Sequence, residues 1–480
     1  MSVFSKQNGA ALSVSRGVVS RQPLVLEQGG SHVQYTPSGG AAHPRIRRRL
    51  HPADLSAFRG FVVGRDSDHR ASNDPQPAAN RADAGCRTSV ELSPRLVSTT
   101  LVDVASGSRA DNACPASRGS PEGPVSLCGD DTVDEHRGKK VYGKACHRDA
   151  VRSTHSFTAY RWGHKWVVLA ILVKFPFAKR LWALPVLVAL YRSKEWNEKH
   201  GRRHKTPSEL MRQLLAVMIR WFPQRKFVFA GDGGYGTHEL ARFAHRHRSH
   251  LTLVSRFYPD ANLYAPPPVV CGKKNGRPRK KGRKLPAPQE VVKRSARSRL
   301  TVAWYGGGTR RIEMVSGVGH WYKNGEGLVA IRWVFVHDLT GTHRDDYFFT
   351  TDVAMTPKTI VETFTRRWSI ETTFQEMRAY LGLETTRGWS EKTVLRAAPC
   401  LFGLFSVIAL LYARLPAKQA GTDFLAWPGK SNRTFSDAIT AVRRWLWVHW
   451  VFATPRHHDA FAKLSGPTRA VLLYALAPAA

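Results

Sequence analysis

Between residues 364 and 378 the chain reads FTRRWSIETTFQEMR, from Phe364 to Arg378. An α-helix advances about 100° per residue, so spacings of three, four and seven put Phe364, Arg367, Glu371 and Arg378 within about 60° of one another. The stretch predicts one helix with one functional face, on which a carboxylate sits between two arginines. Glu362 and Glu376 fall more than about 100° away, which singles out Glu371 among the acids of this region.

What such a face serves is bounded by composition. At 480 residues the chain has room for two or three domains, each with its own core. A formal charge of +37 and a pI of about 10.6 call for a polyanionic partner, with nucleic acid ahead of a membrane surface. The cysteines Cys86, Cys114, Cys128, Cys146, Cys271 and Cys400 contain no C-x2-C pair, so neither a zinc module nor a disulfide framework is legible and a reducing compartment fits. The start of the chain lacks an apolar signal, and the longest apolar stretch, Cys400 to Ala413, falls short of the ~20 residues that span a bilayer. It reads as a buried helix, and the expected location is cytoplasmic and nucleoid-associated, with no membrane.

Residues 1–120 are rich in Ser, Arg, Gly, Ala and Pro, show no long periodicity, and hold none of the 14 tryptophans, which all lie at Trp162 or beyond. Two readings stand side by side: a disordered basic arm that contacts DNA loosely, or a segment never shaped by selection for folding, as if read in a shifted frame.

Beyond residue 120 the elements follow in order. Pro124 to Leu127 reads as a short strand running into Gly129-Asp130-Asp131-Thr132, and Lys165 to Val173 and Trp182 to Leu190 as two more. Thr206-Pro207-Ser208-Glu209 opens a helix that ends before Pro223. Lys226 to Ala230 is a strand that delivers Gly231-Asp232-Gly233, followed by a helix from Thr237 to Arg246 and a strand from His250 to Val254. This order is that of an RNase H-like domain: an α/β mixed sheet flanked by helices. Its expected divisions are an irregular basic region over 1–120, a first core part over 121–255, a β-rich insertion with a basic loop over 256–345, a second core part over 346–395, and a helical region over 396–480.

Three acids from distant segments then stand where strand ends and a helix face bring them together: one of Asp130 and Asp131, then Asp232, then Glu371. Neighbours on a strand point to opposite faces, so at most one of the Asp130-Asp131 pair serves. Oxygen-only ligands suit Mg²⁺ or Mn²⁺, and a pair of such ions supports in-line displacement at phosphorus. Taken singly each acid has a plainer reading: a turn residue for Asp232 and a surface salt bridge with Arg367 for Glu371. Asp338, Asp345, Asp346 and Asp352 rank below them as loop acids in or beside the insertion.

The combination GDDT, GKKVYGKACH, AGDGGYG, GRPRKKG, TTD and RRWSIETTFQEMR, over about residues 125–415, resembles the DDE transposases of the IS4-like superfamily. F-x2-R-x3-E-x6-R resembles that family's Y-x2-R-x3-E-x6-K signature, with Phe364 in place of Tyr and Arg378 in place of Lys. The resemblance implies an insertion-sequence transposase that cleaves element ends with water and joins the freed 3′-hydroxyl to target DNA. It favours Asp131, the Asp before Thr, as the first ligand beside Asp232 and Glu371, with Mg²⁺ or Mn²⁺ as cofactor. It assigns phosphate contacts to Arg367, Arg378 and position 364. Lys273, Lys274, Arg277, Arg279, Lys280, Lys281, Arg283 and Lys284 make the 273–284 loop eight-twelfths basic, and it is expected on DNA. The partners implied are double-stranded DNA, as terminal inverted repeats and target, and a second copy of the chain on paired ends. A DNA-binding relative that has lost its chemistry is the alternative, and a nuclease that does not join strands the third reading.

Overall fold

The computed structural model describes the backbone of Ser89–Glu91 and residues 123–149, 152–154, 156–268, 279–416, 430 and 432–478. Its central strand, β2 (Val125–Glu135), is far longer than the Pro124 to Leu127 segment expected and carries both Asp130 and Asp131. On one side β2 pairs antiparallel with β4 (Tyr160–Val173), which pairs with β3 (Ala145–Arg148) and β5 (Trp182–Tyr191). β1 (Ser89–Glu91) closes that edge against β5, so the region set apart as irregular contributes a strand. On the other side β6 (Phe227–Gly231) and β7 (Leu251–Arg256) run parallel to β2.

The β-rich insertion does not stand apart. β12 (Asp346–Thr350) pairs with β7, β11 (Gly327–Asp338) with β12, and β10 (Thr309–Lys323) with β11, while β8 (Leu263–Tyr264) and β9 (Ser298–Ala303) both pair with β10. Its alternating strands thus extend the core sheet, because their unpaired edges are satisfied by β12 rather than by a second sheet. Pro185 lies inside β5 where a regular strand would not tolerate it; it opposes Ala170 beside the bulge at Leu169/Ala170, which removes the need for its missing N–H.

Helices cover both faces. α1 (Lys194–Lys199) leads into α2 (Pro207–Trp221), whose Thr206 and Glu209 form the expected capping box. α2 and α3 (His238–Arg246) pack on one face, while α4 (Pro288–Arg294) lies within the insertion, against β11. The opposite face carries α5 (Pro357–Arg366), α6 (Ser369–Tyr380) and α7 (Glu391–Arg414). Strand alternation divides the apolar side chains: Leu253 and Phe349 face the core under α3, and Val254 and Phe348 face the core under α5.

The signature stretch is two helices rather than one. The chain turns at Arg367 and Trp368, where i→i−3 hydrogen bonds (Arg367 N–H to Phe364 O, 3.1 Å; Trp368 N–H to Thr365 O, 3.3 Å) tighten the backbone. α5 follows the insertion strands and α6 follows β2 and β5, so the turn carries the chain from one packing surface to the other.

α7 is the expected buried helix, and longer than read: its 24 residues are apolar enough to cross a membrane by length and composition, yet Phe402, Phe405 and Ala409 are fully buried in the sheet's core. α8 (Phe435–Leu446) packs on α7, and α9 (Pro455–Lys463) and α10 (Gly466–Leu476) complete the helical region.

Candidate active site

Backbone register builds the site. Gly129 on β2 is opposite Gly231 on β6 in a parallel ladder, so Asp130 and Asp232 follow at equivalent positions one step beyond. Equivalent positions on adjacent strands put side chains on one face. That face lies under the turn between α5 and α6, from which Arg367 and Glu371 reach down.

One guanidinium gathers the acids. Arg367 donates through Nη1 to Asp130 and through Nη2 to Glu371 at 3.0 Å, and Nη2 lies 3.7 Å from Asp232. Arg367 is nearly buried, whereas Asp232 and Glu371 are 42% and 46% exposed, so the cluster has a protein side and a solvent side. Burial pushes the Asp130 carboxyl up to about 7 against the pull of Arg367, and the charges of Asp131 and Asp232 push the same way. Arg367 is held well above its ordinary value by Asp130, Asp232 and Glu371, against the cost of its own burial.

Asp131, the first ligand favoured by the resemblance, is not in this cluster. It points to the opposite face, where its carboxylate lies 2.8 Å from Lys165 Nζ and accepts from the Tyr235 hydroxyl at 3.5 Å. Strand alternation is the reason, and the parallel register with β6 is the information that was missing from the sequence.

The arginines and the aromatic of the signature are placed differently from the expected phosphate contacts. Phe364 is fully buried against Phe348, with ring centroids 4.4 Å apart. Arg367 is engaged with the acids. Arg378 donates to Thr132 and Glu384 and keeps a third of its side chain exposed. In the basic loop, Lys273, Lys274 and Arg277 lie outside the described residues; Arg279, Lys280, Arg283 and Lys284 are exposed, and Lys281 stacks its ammonium over Tyr264 and Tyr322. Of the lower-ranked acids, Asp338 is buried and held by Arg310, and Asp346 pairs with Arg256.

Sequence reasoning missed several neighbours. The Tyr305 phenol feels the charges of Arg256, Arg367, Asp346 and Glu371, and burial is the largest cause that raises its pKa. Beyond Asp130, β2 runs into a groove of about 1010 Å³ whose walls include Arg137, Lys139, Lys140, Arg387 and the exposed Trp389. The GKKVYG run at 138–143 was a visible signal for it.

A divalent cation suits the cluster on the chemistry of its donors. The three carboxylates offer oxygen only, two of them are open to solvent, and a single guanidinium leaves their charge uncompensated. Among the described residues, the group whose ligand atoms all lie within 4.8 Å of one another is a different one, Asp134, His136 and His164.

Two family models match the chain. The DDE superfamily endonuclease model matches residues 67–311, just over half of the 480 residues, and the model described as archaeal putative transposase ISC1217 matches 324–405. The chain belongs to the DDE superfamily endonucleases. No curated protein matches it. Among solved structures, the piggyBac transposase synaptic complex with hairpin DNA is similar at 11% identity and a TM-score of 0.32, over 74% of this chain and 57% of that one. The chain thus spans little more than half of that protein's length, and nothing is carried over from a similarity of that size.

Proposed function

We propose that the protein is an insertion-sequence transposase of the IS4-like type, with Asp130, Asp232 and Glu371 as its metal-binding carboxylates. One observation carries the reading: two acids in register on parallel strands and a third from a helix reach the same guanidinium. Asp130 replaces Asp131 in the triad on the ground of facing.

Asp130 and Asp232 would hold Mg²⁺ or Mn²⁺ from the sheet and Glu371 from α6, with Arg367 turned from the acids towards a DNA phosphate, the contact its guanidinium geometry suits. Such ions activate an attacking oxygen and stabilise a leaving one at phosphorus. The proposed reaction has two displacements. Water attacks a phosphodiester at the element end and the P–O3′ bond breaks; the freed 3′-hydroxyl then attacks a target phosphodiester, and that strand's 3′-oxygen leaves. The groove past Glu135 and the 273–284 loop supply cations for the duplex backbone, and a dimer on paired ends fits two such ends.

The test is cleavage of a duplex containing the element's end, in Mg²⁺ and Mn²⁺, by wild type and by Asp232→Ala. Nicking lost in the variant supports the proposal. Intact DNA with both ions supports the second reading, a DNA-binding relative without chemistry, which the buried, hydroxyl-less Phe364 favours.

A further inference from the structure

We infer that Asp134, His136 and His164 form a second metal site, of the Zn²⁺ class, at the far end of the strand that carries Asp130 but separate from the triad.

The backbone alone brings the three together. Asp134 and His136 are two residues apart, so they share a face of the extended chain, and the antiparallel register sets His164 directly opposite Asp134. Their ligand atoms all lie within 4.8 Å of one another: His136 Nε2 is 3.3 Å from Asp134 Oδ2, and His164 Nδ1 is 3.6 Å from Oδ1. The second nitrogen of His164, Nε2, lies 2.9 Å from the Tyr142 carbonyl oxygen. An outward ring N–H on a backbone carbonyl is the contact that fixes the tautomer and tilt of a metal-bound imidazole, leaving Nδ1 free to ligate. Asp134 is oriented in the same way by the indole N–H of Trp166 at 3.2 Å and the His164 amide at 3.1 Å.

Charge and space point the same way. All three residues are buried, Asp134 completely, and its ion-pair partners among the described residues are the two imidazoles, which are uncharged when deprotonated. A buried carboxylate needs a cation, and a divalent ion supplies one at every pH at which the imidazoles are neutral. A cavity of about 10 Å³ opens beside Asp134 and His164, lined by Thr386, Gly388 and Thr393, which is room for roughly one water as a fourth ligand. Two imidazoles and one carboxylate select Zn²⁺ over Mg²⁺, which keeps to oxygen. The competing arrangement is the same cluster held by hydrogen bonds alone, with no ion.

Metal content separates the two. The full-length chain is stripped with EDTA, given ZnCl2, passed through a desalting column and assayed for zinc by mass spectrometry. The expected result is about one zinc per chain in wild type and equally in Asp232→Ala, where the triad is broken, against less than about a tenth in the His136→Gln/His164→Gln double variant. Should that variant fail to fold, Co²⁺ titration of stripped wild type replaces it: visible ligand-field absorption with a one-to-one end point, unaffected by excess Mg²⁺, is expected. Stripped wild type that retains less than a tenth of an equivalent of zinc, or that gives no such Co²⁺ absorption, overturns the site. So does a folded double variant that retains as much zinc as wild type. These readouts involve neither DNA nor cleavage, so they stand or fall apart from the proposed transposase activity.

Discussion

On one face of β2, Asp130 shares the Arg367 guanidinium with Asp232 and Glu371; on the other, one residue along, Asp131 is paired with the Lys165 ammonium and touched by the Tyr235 hydroxyl. The first arrangement gathers three carboxyl groups around one guanidinium and leaves two of them half in solvent. The second matches one charge with one. Excess negative charge near solvent is what a divalent cation answers, and a balanced pair is what a fold uses for local order. Two chemically identical neighbours therefore meet opposite surroundings because a strand sends them to opposite faces.

The largest effect expected is at Asp232, one of the two acids common to both versions of the site. Asp232→Ala should reduce Mn²⁺-dependent nicking by at least about 10³-fold, the scale on which loss of an essential catalytic group is felt. Binding to the same duplex without added metal should be retained, since Asp232 repels phosphate; a variant that still nicks at wild-type rate breaks the triad.

The comparison is sharpened by changing the two neighbours separately. Asp130→Asn should match Asp232→Ala, while Asp131→Asn should stay within about tenfold of wild type, because it removes a balanced pair and no ligand. The reverse ranking in the same nicking assay would restore Asp131 to the triad.

The Asp131 face carries a pH dependence of its own. His147 on β3 is buried, with no hydrogen-bond partner at Nε2, and burial followed by the Lys165 charge pushes its pKa down from 6.5 to about 4. The unfolded chain therefore binds a proton that the folded one refuses. The contribution is complete above pH 6.5 and is lost as pH falls towards 4, by up to about 3 kcal/mol. Urea titrations of wild type and His147→Gln over that range should show a steeper loss in wild type; parallel curves would show that His147 takes up its proton within the fold.

Phe364→Tyr restores the residue that the family signature carries. With the ring fully buried against Phe348, and the Arg256 and Arg367 guanidiniums within 5.7 Å of its centroid, the added hydroxyl has to be fitted into packed core and should cost about 1–3 kcal/mol of stability in a denaturant titration. DNA affinity should not change. A gain in affinity would mean that the α5 turn opens on DNA and that the buried position belongs to the free protein alone.

What was legible in the sequence follows what is local. The capping box at Thr206 and Glu209, the strand over Trp182 to Leu190 and the i,i+4 pair of Arg367 and Glu371 rest on contacts within a few residues, and each is found. The choice between Asp130 and Asp131 rests on register between strands a hundred residues apart, which composition and spacing do not encode. The same holds for His164, whose meeting with Asp134 and His136 needs the β2–β4 ladder, and for the insertion, whose alternation announced strands without naming the edge they join. The helix break at Arg367 was hidden because both flanking residues keep right-handed helical angles, so no Gly or Pro marks it.

The smallest effect expected comes from the exposed basic loop. Arg279 and Lys280 have no acidic partner among the described residues, and a cation that neutralises one phosphate releases about one counterion. Removing one such cation should lower the slope of log K against log salt by about 0.9, while sequence preference and nicking chemistry stay as they are. Lys280→Ala, measured by fluorescence anisotropy on an end-containing duplex and on an unrelated one across a salt series, should show the same small drop on both. A drop on the end-containing duplex alone would make the loop a reader of bases, and no change on either would leave the backbone to the groove at Arg137, Lys139 and Lys140, on the far side of the triad from the loop in the order of the sheet.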